Sequence, residues 1–163
     1  MLNLSELRRA AEIIDRLFAG HRLERSVQSG DDRVVLTLYG TQPEDPKARK
    51  RLLLLTCHGQ GGRVSQLDAL PKAPQNPPAF VSWLRAHLAS ARLRGARVVG
   101  DDRVLALAFE AREGRFDLVL SLLGKRSNLY ILDERGQVIL ALRPPSRTRP
   151  EIVPGAVFEP PAS

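Results

Sequence analysis

The chain has a single cysteine, Cys57, in 163 residues. No internal disulfide can form, which points to a reducing compartment and to a core that needs no covalent staple. Aromatic residues are also scarce, at 5%. The core must therefore rest on Leu, Val, Ile and Ala, and a stacking platform for unpaired bases is excluded. Long apolar runs are missing. A leucine run such as Leu52 to Leu55 is far too short to cross a bilayer. The opening MLNLSELRRAAEIIDRLF lacks the basic start, apolar stretch and small-residue cleavage site of a signal peptide. These absences predict a cytoplasmic protein with no membrane partner.

Metal and catalytic signatures are equally sparse. The histidines, His21, His58 and His87, are far apart. Cys57 and His58 are neighbours on an expected strand, so their side chains point to opposite faces. No ligand spacing results, and neither a metal nor another cofactor is expected. The cluster Gly59-Gln60-Gly61-Gly62 lacks the Gly-Lys-Ser/Thr ending of a phosphate loop and reads as a hairpin turn. No Gly-x-Ser-x-Gly elbow occurs, and the acidic residues fall in turns and on helix surfaces. The reading is a binding protein, not an enzyme.

What is present is charge. Lys plus Arg number 25 against 18 Asp plus Glu, for a formal net charge of +7, and most of the cations are arginines. Arginine presents a planar fork of donors suited to phosphate and base edges. Charge alone leaves two readings open: a polyanion partner, or merely a basic surface drawn from an arginine-rich proteome.

Apolar residues make up 43%, a normal globular share, and the length suits one domain over residues 1–163. Leu4, Leu7, Ala11, Ile14 and Phe18 recur at helical spacing, with Asn3 and Glu6 placed as a capping box and Gly20 as a stop. Residues 23–27 and 33–39 read as strands, 40–50 as a polar loop with two prolines, and 52–57 as a central strand that 63–67 pairs with. After an irregular stretch with four prolines, Asn76-Pro77-Pro78 opens a second helix, with Asn76 as its cap. Strand-like runs at 97–99, 103–110, 116–123, 129–132 and 138–142 follow, joined by short turns that favour antiparallel pairing. The stretch 143–163 reads as an extended Pro/Arg-rich tail. The order of elements predicts an α+β fold.

Arginines collect at strand ends. Arg97 and Arg103 flank Asp101-Asp102, Lys125 and Arg126 occupy a turn, and Arg143, Arg147 and Arg149 follow the last strand. They are either solvated loop charge or a surface that tracks phosphates, and with so few aromatics the latter favours a folded RNA read by shape and backbone.

Particular segments carry a resemblance. They are Gly20-His21-Arg22-Leu23 after the first helix, Leu53-Leu54-Leu55-Thr56-Cys57-His58, and Asn76-Pro77-Pro78 leading to Leu84-Arg85-Ala86-His87-Leu88. Gly100-Asp101-Asp102-Arg103, Gly124-Lys125-Arg126-Ser127-Asn128, Ser146-Arg147-Thr148-Arg149 and Pro154-Gly155 complete the set. In this order and spacing they resemble the N-terminal domain of the NFACT family, to which proteins labelled fibronectin-binding protein A belong. The resemblance implies an antiparallel β-sandwich-like core with two main helices, similar to the N-terminal domain of formamidopyrimidine DNA glycosylases. It implies the RNA-binding domain of a ribosome quality-control factor that engages tRNA and the large ribosomal subunit carrying a stalled peptidyl-tRNA. The ribosome makes the peptide bonds, so the factor needs no catalytic set.

By the same resemblance, Asp102 and Arg103 form the pair that engages tRNA. Ser121, Gly124, Lys125, Arg126, Ser127 and Asn128 form a second segment of the site, and Arg85, Arg147 and Arg149 supply further cations. The chain departs from the family pattern at Ser121, where glutamate is usual, at Lys125, where arginine is usual, and at Asn3, the nearest equivalent to the aspartate of a missing Phe-Asp-Gly. Family members continue into further domains, so such domains, or a separate chain, are expected partners. Two alternatives have their own signatures. An adhesion module would bind fibronectin. A glycosylase would need an N-terminal proline amine, and Met1-Leu2-Asn3 offers none.

Overall fold

The computed structural model describes residues 2–59 and 61–161. Met1, Ala162 and Ser163 lie outside the described residues, as does Gln60 of the expected glycine turn. Helix α1 spans Leu4–Phe18. It begins where the capping box predicts: the Glu6 N–H donates to Asn3 Oδ1 at 2.8 Å, and the Asn3 N–H to Glu6 Oε1 at 3.1 Å. It ends before Gly20, whose φ of +88° takes a left-handed step that a side chain would strain. Leu7, Ala11, Ile14 and Phe18 form its buried face. Helix α2 spans Ala79–His87. The expected cap Asn76 plays no part in it. Pro78 is the entry residue, and the Ser82 hydroxyl donates to the Pro77 carbonyl at 3.1 Å.

Nine strands make one sheet: β1 Arg22–Gln28, β2 Arg33–Gln42, β3 Asp45–Thr56, β4 Arg63–Leu67, β5 Arg92–Val98, β6 Val104–Ala111, β7 Gly114–Ser121, β8 Asn128–Leu132 and β9 Val138–Ala141. Their order is β4-β3-β2-β1-β5-β6-β7-β8-β9, with every neighbour antiparallel. The fold is thus α+β with a large antiparallel sheet and two helices. The sheet is continuous, unlike the two separate sheets of a sandwich, but it is thin at one seam. There β1 and β5 share only the register Arg22↔Arg92, reinforced by Leu23 N–H to Ala91 O at 2.8 Å and Gly20 N–H to Leu93 O at 2.7 Å.

Past the seam the two strands part, and each bare edge meets a helix side chain. Arg85 of α2 donates from Nε to the Ser26 carbonyl at 3.0 Å, and Asp15 of α1 accepts from the Ala96 N–H at 3.1 Å. Backbone groups left bare at a buried edge would cost about 1–3 kcal/mol each. A Cβ on Gly95 would stand 2.7 Å from Asp15 Oδ1, so a side chain there would make Asp15 shift.

The main core lies between the two halves of the sheet, β1–β4 and β5–β9, and takes in both helices. Each fully buried Leu or Phe in it contributes roughly 1.5–3 kcal/mol. A second apolar cluster covers the other face of β6–β9 and joins Val104, Ala106, Val119, Tyr130, Leu132 and Val138 to Ile152, with Phe158 packed against it.

Two expectations fail. The tail after Arg143 is not an extended surface strand. It makes a short 3-10 turn at Pro145–Arg147, buries Ile152, and pairs Gln137 with Val157 in an isolated bridge. Ile152 and Phe158 hold it down as apolar anchors. Residues 40–50 are not a loop either. β2 and β3 continue through them as a two-stranded ribbon that extends past β1 pairing, which ends at Arg22↔Tyr39, and β4 pairing, which ends at Leu52↔Leu67.

Candidate nucleic-acid interface

Four turns and the chain returning after β9 gather at one end of the molecule, because the sheet folds at the β1–β5 seam and brings its two halves together there. In the first half of the sheet, turns 29–32 and 57–62 adjoin through the Cys57 N–H to Asp32 O bond of 2.9 Å. In the second half, turns 99–103 and 122–127 adjoin through Leu122 N–H to Arg103 O at 2.9 Å, and the chain after β9 returns beside them. The halves touch here: a Cβ on Gly59 would lie 3.3 Å from Lys125 Cα, and one on Gly62 would lie 2.7 Å from Leu122 Cδ2. A shallow cleft at this contact is lined by Asp31, Asp32, His58, Gly59, Lys125 and Arg143.

The turn after β7 is held from within. Gly124 takes φ +57° and starts a 3-10 turn. Ser127 Oγ accepts from the Leu123 N–H and donates to the Gly124 carbonyl, both at 2.7 Å. Asn128 is fully buried and works as a clamp. Its Nδ2 donates to Arg143 O at 3.0 Å and to Thr148 Oγ1 at 3.2 Å, while its Oδ1 accepts from the N–H of Leu129 and of Arg143 at 2.9 and 2.8 Å. All four of the hydrogen bonds open to an amide side chain are thus made, and the returning chain is locked onto the turn.

Two arginines on this scaffold bond to carbonyls, not carboxylates. Arg143 Nη1 donates to Lys125 O at 3.0 Å and to Ser127 O at 2.6 Å, and Arg126 Nε donates to Thr148 O at 3.0 Å. A carbonyl orients a guanidinium without cancelling its charge. Among the described residues, Lys125, Arg126, Arg143 and Arg147 enter no salt bridge. Glu151 is the carboxylate that feels Arg126. Its own backbone N–H holds it below the usual carboxylate range, and Arg149 and Arg126 add to this. Burial pushes the Cys57 thiol up to about 12, partly offset by Arg143, so no thiolate nucleophile is available.

The structure therefore sorts the residues singled out above. Asp102, Arg103, Gly124, Lys125, Arg126 and Arg147 share this end and are exposed or half-exposed. Ser121, Ser127 and Asn128 share it too, but are buried and cannot touch a ligand from solvent. Ser121 Oγ and the Tyr130 hydroxyl lie beneath the returning chain with no hydrogen-bond partner. Asn128 and Thr148 stand near that hydroxyl, yet neither reaches hydrogen-bond geometry with it. Arg149 is 6% exposed, pairs with Glu151 at 3.1 Å, bonds the Glu159 carbonyl and lies over the Phe158 ring; it anchors the tail. Arg85 instead bonds the Ser26 carbonyl on the edge of β1. Sequence reasoning missed the cleft residues Asp31, Asp32 and His58. No local pattern marks them, because the fold alone brings the two halves of the sheet together there. Among the described residues no cluster of His, Cys, Asp or Glu could hold a metal ion, and no helix is long and apolar enough to cross a membrane.

A large antiparallel sheet with two helices is an α+β fold shared with several solved proteins. The N-terminal domain of the fibronectin-binding protein PavA from Streptococcus pneumoniae superposes with a TM-score of 0.83 at 20% identity, covering 98% of this chain and 62% of that one. The N-terminal part of the fibronectin/fibrinogen-binding protein from Streptococcus suis gives 0.81 at 21% identity, covering 96% and 61%. The chain belongs to the NFACT family: residues 5–163 match the model of the NFACT N-terminal and middle domains. Among curated relatives, the Rqc2 homolog RqcH of Streptococcus suis is 25% identical over 126 residues, 74% of this chain and 22% of its own length. The archaeal Rqc2 homolog aRqcH of Methanocaldococcus jannaschii is 36% identical over 81 residues, 50% of this chain and 12% of its own. Ribosome quality control complex subunit 2 of Saccharomyces cerevisiae is 29% identical over 124 residues, 76% of this chain and 11% of its own. The chain thus spans about a fifth or less of the length of these relatives.

Proposed function

We propose that this domain binds RNA for a ribosome quality-control factor, docking tRNA and the large ribosomal subunit at the turn cluster and leaving all covalent chemistry to the ribosome. The observation that carries the reading is the set Lys125, Arg126, Arg143 and Arg147, gathered at one end, with Arg126 and Arg143 oriented by carbonyls and none of the four in a salt bridge among the described residues. Such cations neutralise phosphates and release counterions. Asp102 and Arg103 stand beside them, where Arg103 can fork onto a phosphate or base edge and Asp102 can accept from a base amine. The names of the relatives support the setting, and cytoplasmic action follows from it.

The test is tRNA binding by fluorescence anisotropy across a salt series. Log affinity should fall linearly with log salt, at about −0.7 per single-strand phosphate neutralised. Arg103→Ala should weaken binding by roughly 1–3 kcal/mol if its fork reads a base. Unchanged binding by that variant removes Arg103 from the site. The names of the solved neighbours favour a second reading, adhesion to fibronectin or fibrinogen. Salt-resistant fibronectin binding with no affinity for tRNA would establish it. A likeness to DNA glycosylases would need a borohydride-trapped adduct on damaged DNA.

A further inference from the structure

We infer that the β2–β3 ribbon is a second nucleic-acid contact, built to lie in the groove of an RNA duplex. The ribbon runs from Tyr39 to Arg51 and turns tightly at Pro43-Glu44, between the paired residues Gln42 and Asp45. Because β1 pairing stops at Tyr39 and β4 pairing begins at Leu52, nothing in the sheet flanks it. It carries Lys47, Arg49, Lys50 and Arg51 against Glu44 and Asp45.

Strand geometry sorts these charges by face. Asp45, Arg49 and Arg51 share one face, since both arginines pair with the Asp45 carboxylate. Arg49 and Arg51 stand roughly 6.6 Å apart, a step close to that between neighbouring phosphates on one strand, while Lys47 falls within the register shift between Gly40↔Arg49 and Gln42↔Asp45. Lys50 lies on the other face, level with Tyr39 and Arg22, and Arg25 continues that face along β1. Arg22 packs over the Tyr39 ring at 5.5 Å.

The internal pairing is light on the residues that face out. Arg51 is nearly enclosed and braces the ribbon, bonding Asp45 at 3.1 Å and the Gly40 carbonyl at 3.2 Å. Arg49 shares that same Asp45 carboxylate with Arg51. The Lys50 side chain is 66% exposed and reaches Glu24 only at 3.4 Å. Lys47 enters no salt bridge among the described residues. Exposed pairs of this kind hold little and exchange readily for phosphate.

Cations on both faces of one narrow ribbon favour a groove with phosphate on both walls over a flat acidic protein, which would meet one face. The wide minor groove of an RNA helix is such a place, and it is recognised through backbone and shape. The ribbon and the turn cluster share no residue, so one domain could hold two RNA segments at once.

The lysines of the chain are Lys47, Lys50, Lys72 and Lys125, which makes acetylation protection a direct test on the unaltered protein. A fluorescein-labelled RNA stem-loop with one continuous stem is bound at low salt, then acetylation of each lysine is followed by mass spectrometry. Lys47 and Lys50 should react at least about threefold more slowly with RNA bound, and Lys72 at its free rate. Protection of Lys47 and Lys50 but not Lys125 keeps this inference while removing the turn cluster as an RNA site. Protection of Lys125 alone overturns the ribbon and keeps the cluster. The paired variant Lys47→Gln/Lys50→Gln should lower the salt slope by about two, one for each cation. An unchanged slope overturns the inference. So does displacement of the stem-loop from the ribbon by polyglutamate at equal charge concentration, which would assign it to an acidic protein.

Discussion

The two ends of the second half-sheet use their arginines in different ways. Toward the far end Arg94 and Arg115 meet Glu110 at 3.5 and 3.7 Å, and midway along the strands Arg97 meets Asp117 at 3.0 Å, while Arg112 and Arg135 in the far turns enter no salt bridge among the described residues. At the turn cluster Arg126 and Arg143 meet carbonyls instead. A net charge of +7 describes neither end. What distinguishes a surface able to hold a polyanion is whether its cations are already matched, and only the fold decides that.

The first way to break the comparison is to remove what shapes the cationic end. Asn128→Ala deletes four hydrogen bonds in a fully buried setting. It also leaves the Arg143 N–H and the Thr148 hydroxyl without that partner. The expected loss is about 3 kcal/mol of unfolding free energy in a urea titration. A loss under about 1 kcal/mol would mean that the returning chain is held by Ile152 and Phe158 alone.

The second sharpens it directly. Lys125→Glu/Arg126→Glu should weaken tRNA binding by about 2 kcal/mol, roughly thirtyfold. Arg94→Glu/Arg115→Glu reverses as much charge at the matched end and should change affinity by about twofold at most. Equal losses from the two variants would show that the RNA reads total charge, and the distinction between the ends would collapse.

Much of the frame was legible in the sequence. The capping box of α1 and the apolar runs of β6–β8 are local signals, and local physics honours them. The ribbon was not legible, because both of its faces meet solvent and the 3.6- and 2-residue periods that reveal a core have nothing to report there. Two prolines also argued for a loop. Yet Pro43 occupies the tight turn, and Pro46 falls in the register shift between Gly40↔Arg49 and Gln42↔Asp45, off the regular ladder where its missing N–H would cost most. The tail misled through composition. Pro and Arg dominate it, but two apolar residues, Ile152 and Phe158, decide its path. Of the candidate site, charge at strand ends marked Lys125 and Arg126, while Gly124, Ser127 and Asn128 were visible only through family likeness. Which members face solvent and which clamp the turn depends on contacts with residues far away in sequence, such as Thr148.

The third prediction concerns the seam, where two helix side chains perform the same task from opposite sides. Arg85→Ala frees the Ser26 carbonyl, and Asp15→Ala frees the Ala96 N–H. Each should cost about 1 kcal/mol, with Arg85→Ala the dearer because its contact is part-buried. Neither should alter tRNA affinity by more than about twofold. A large binding loss from Arg85→Ala would move that arginine from the scaffold to the interface.

The smallest expected effect lies at the root of the ribbon. His21 is 1% exposed, and neither ring nitrogen has a hydrogen-bond partner. Its ring meets Phe18 at 5.1 Å, and a Cβ on Gly40 would sit 2.9 Å from it. Burial holds its pKa below the ordinary 6.5, with nearby Arg51 pushing the same way. A histidine buried in the neutral form binds its proton more weakly folded than unfolded. Its contribution is therefore whole above about pH 6.5 and shrinks as pH falls from there toward the depressed folded value. Glu24, Asp45 and Glu151 have lowered pKa values from their hydrogen bonds, so their stabilisation is lost only below the usual carboxylate range. Urea midpoints should thus decline first between neutral pH and mildly acidic pH, and His21→Leu should flatten that first decline while leaving the more acidic one in place. A His21→Leu protein with the wild-type pH profile would remove His21 as the source of the early decline.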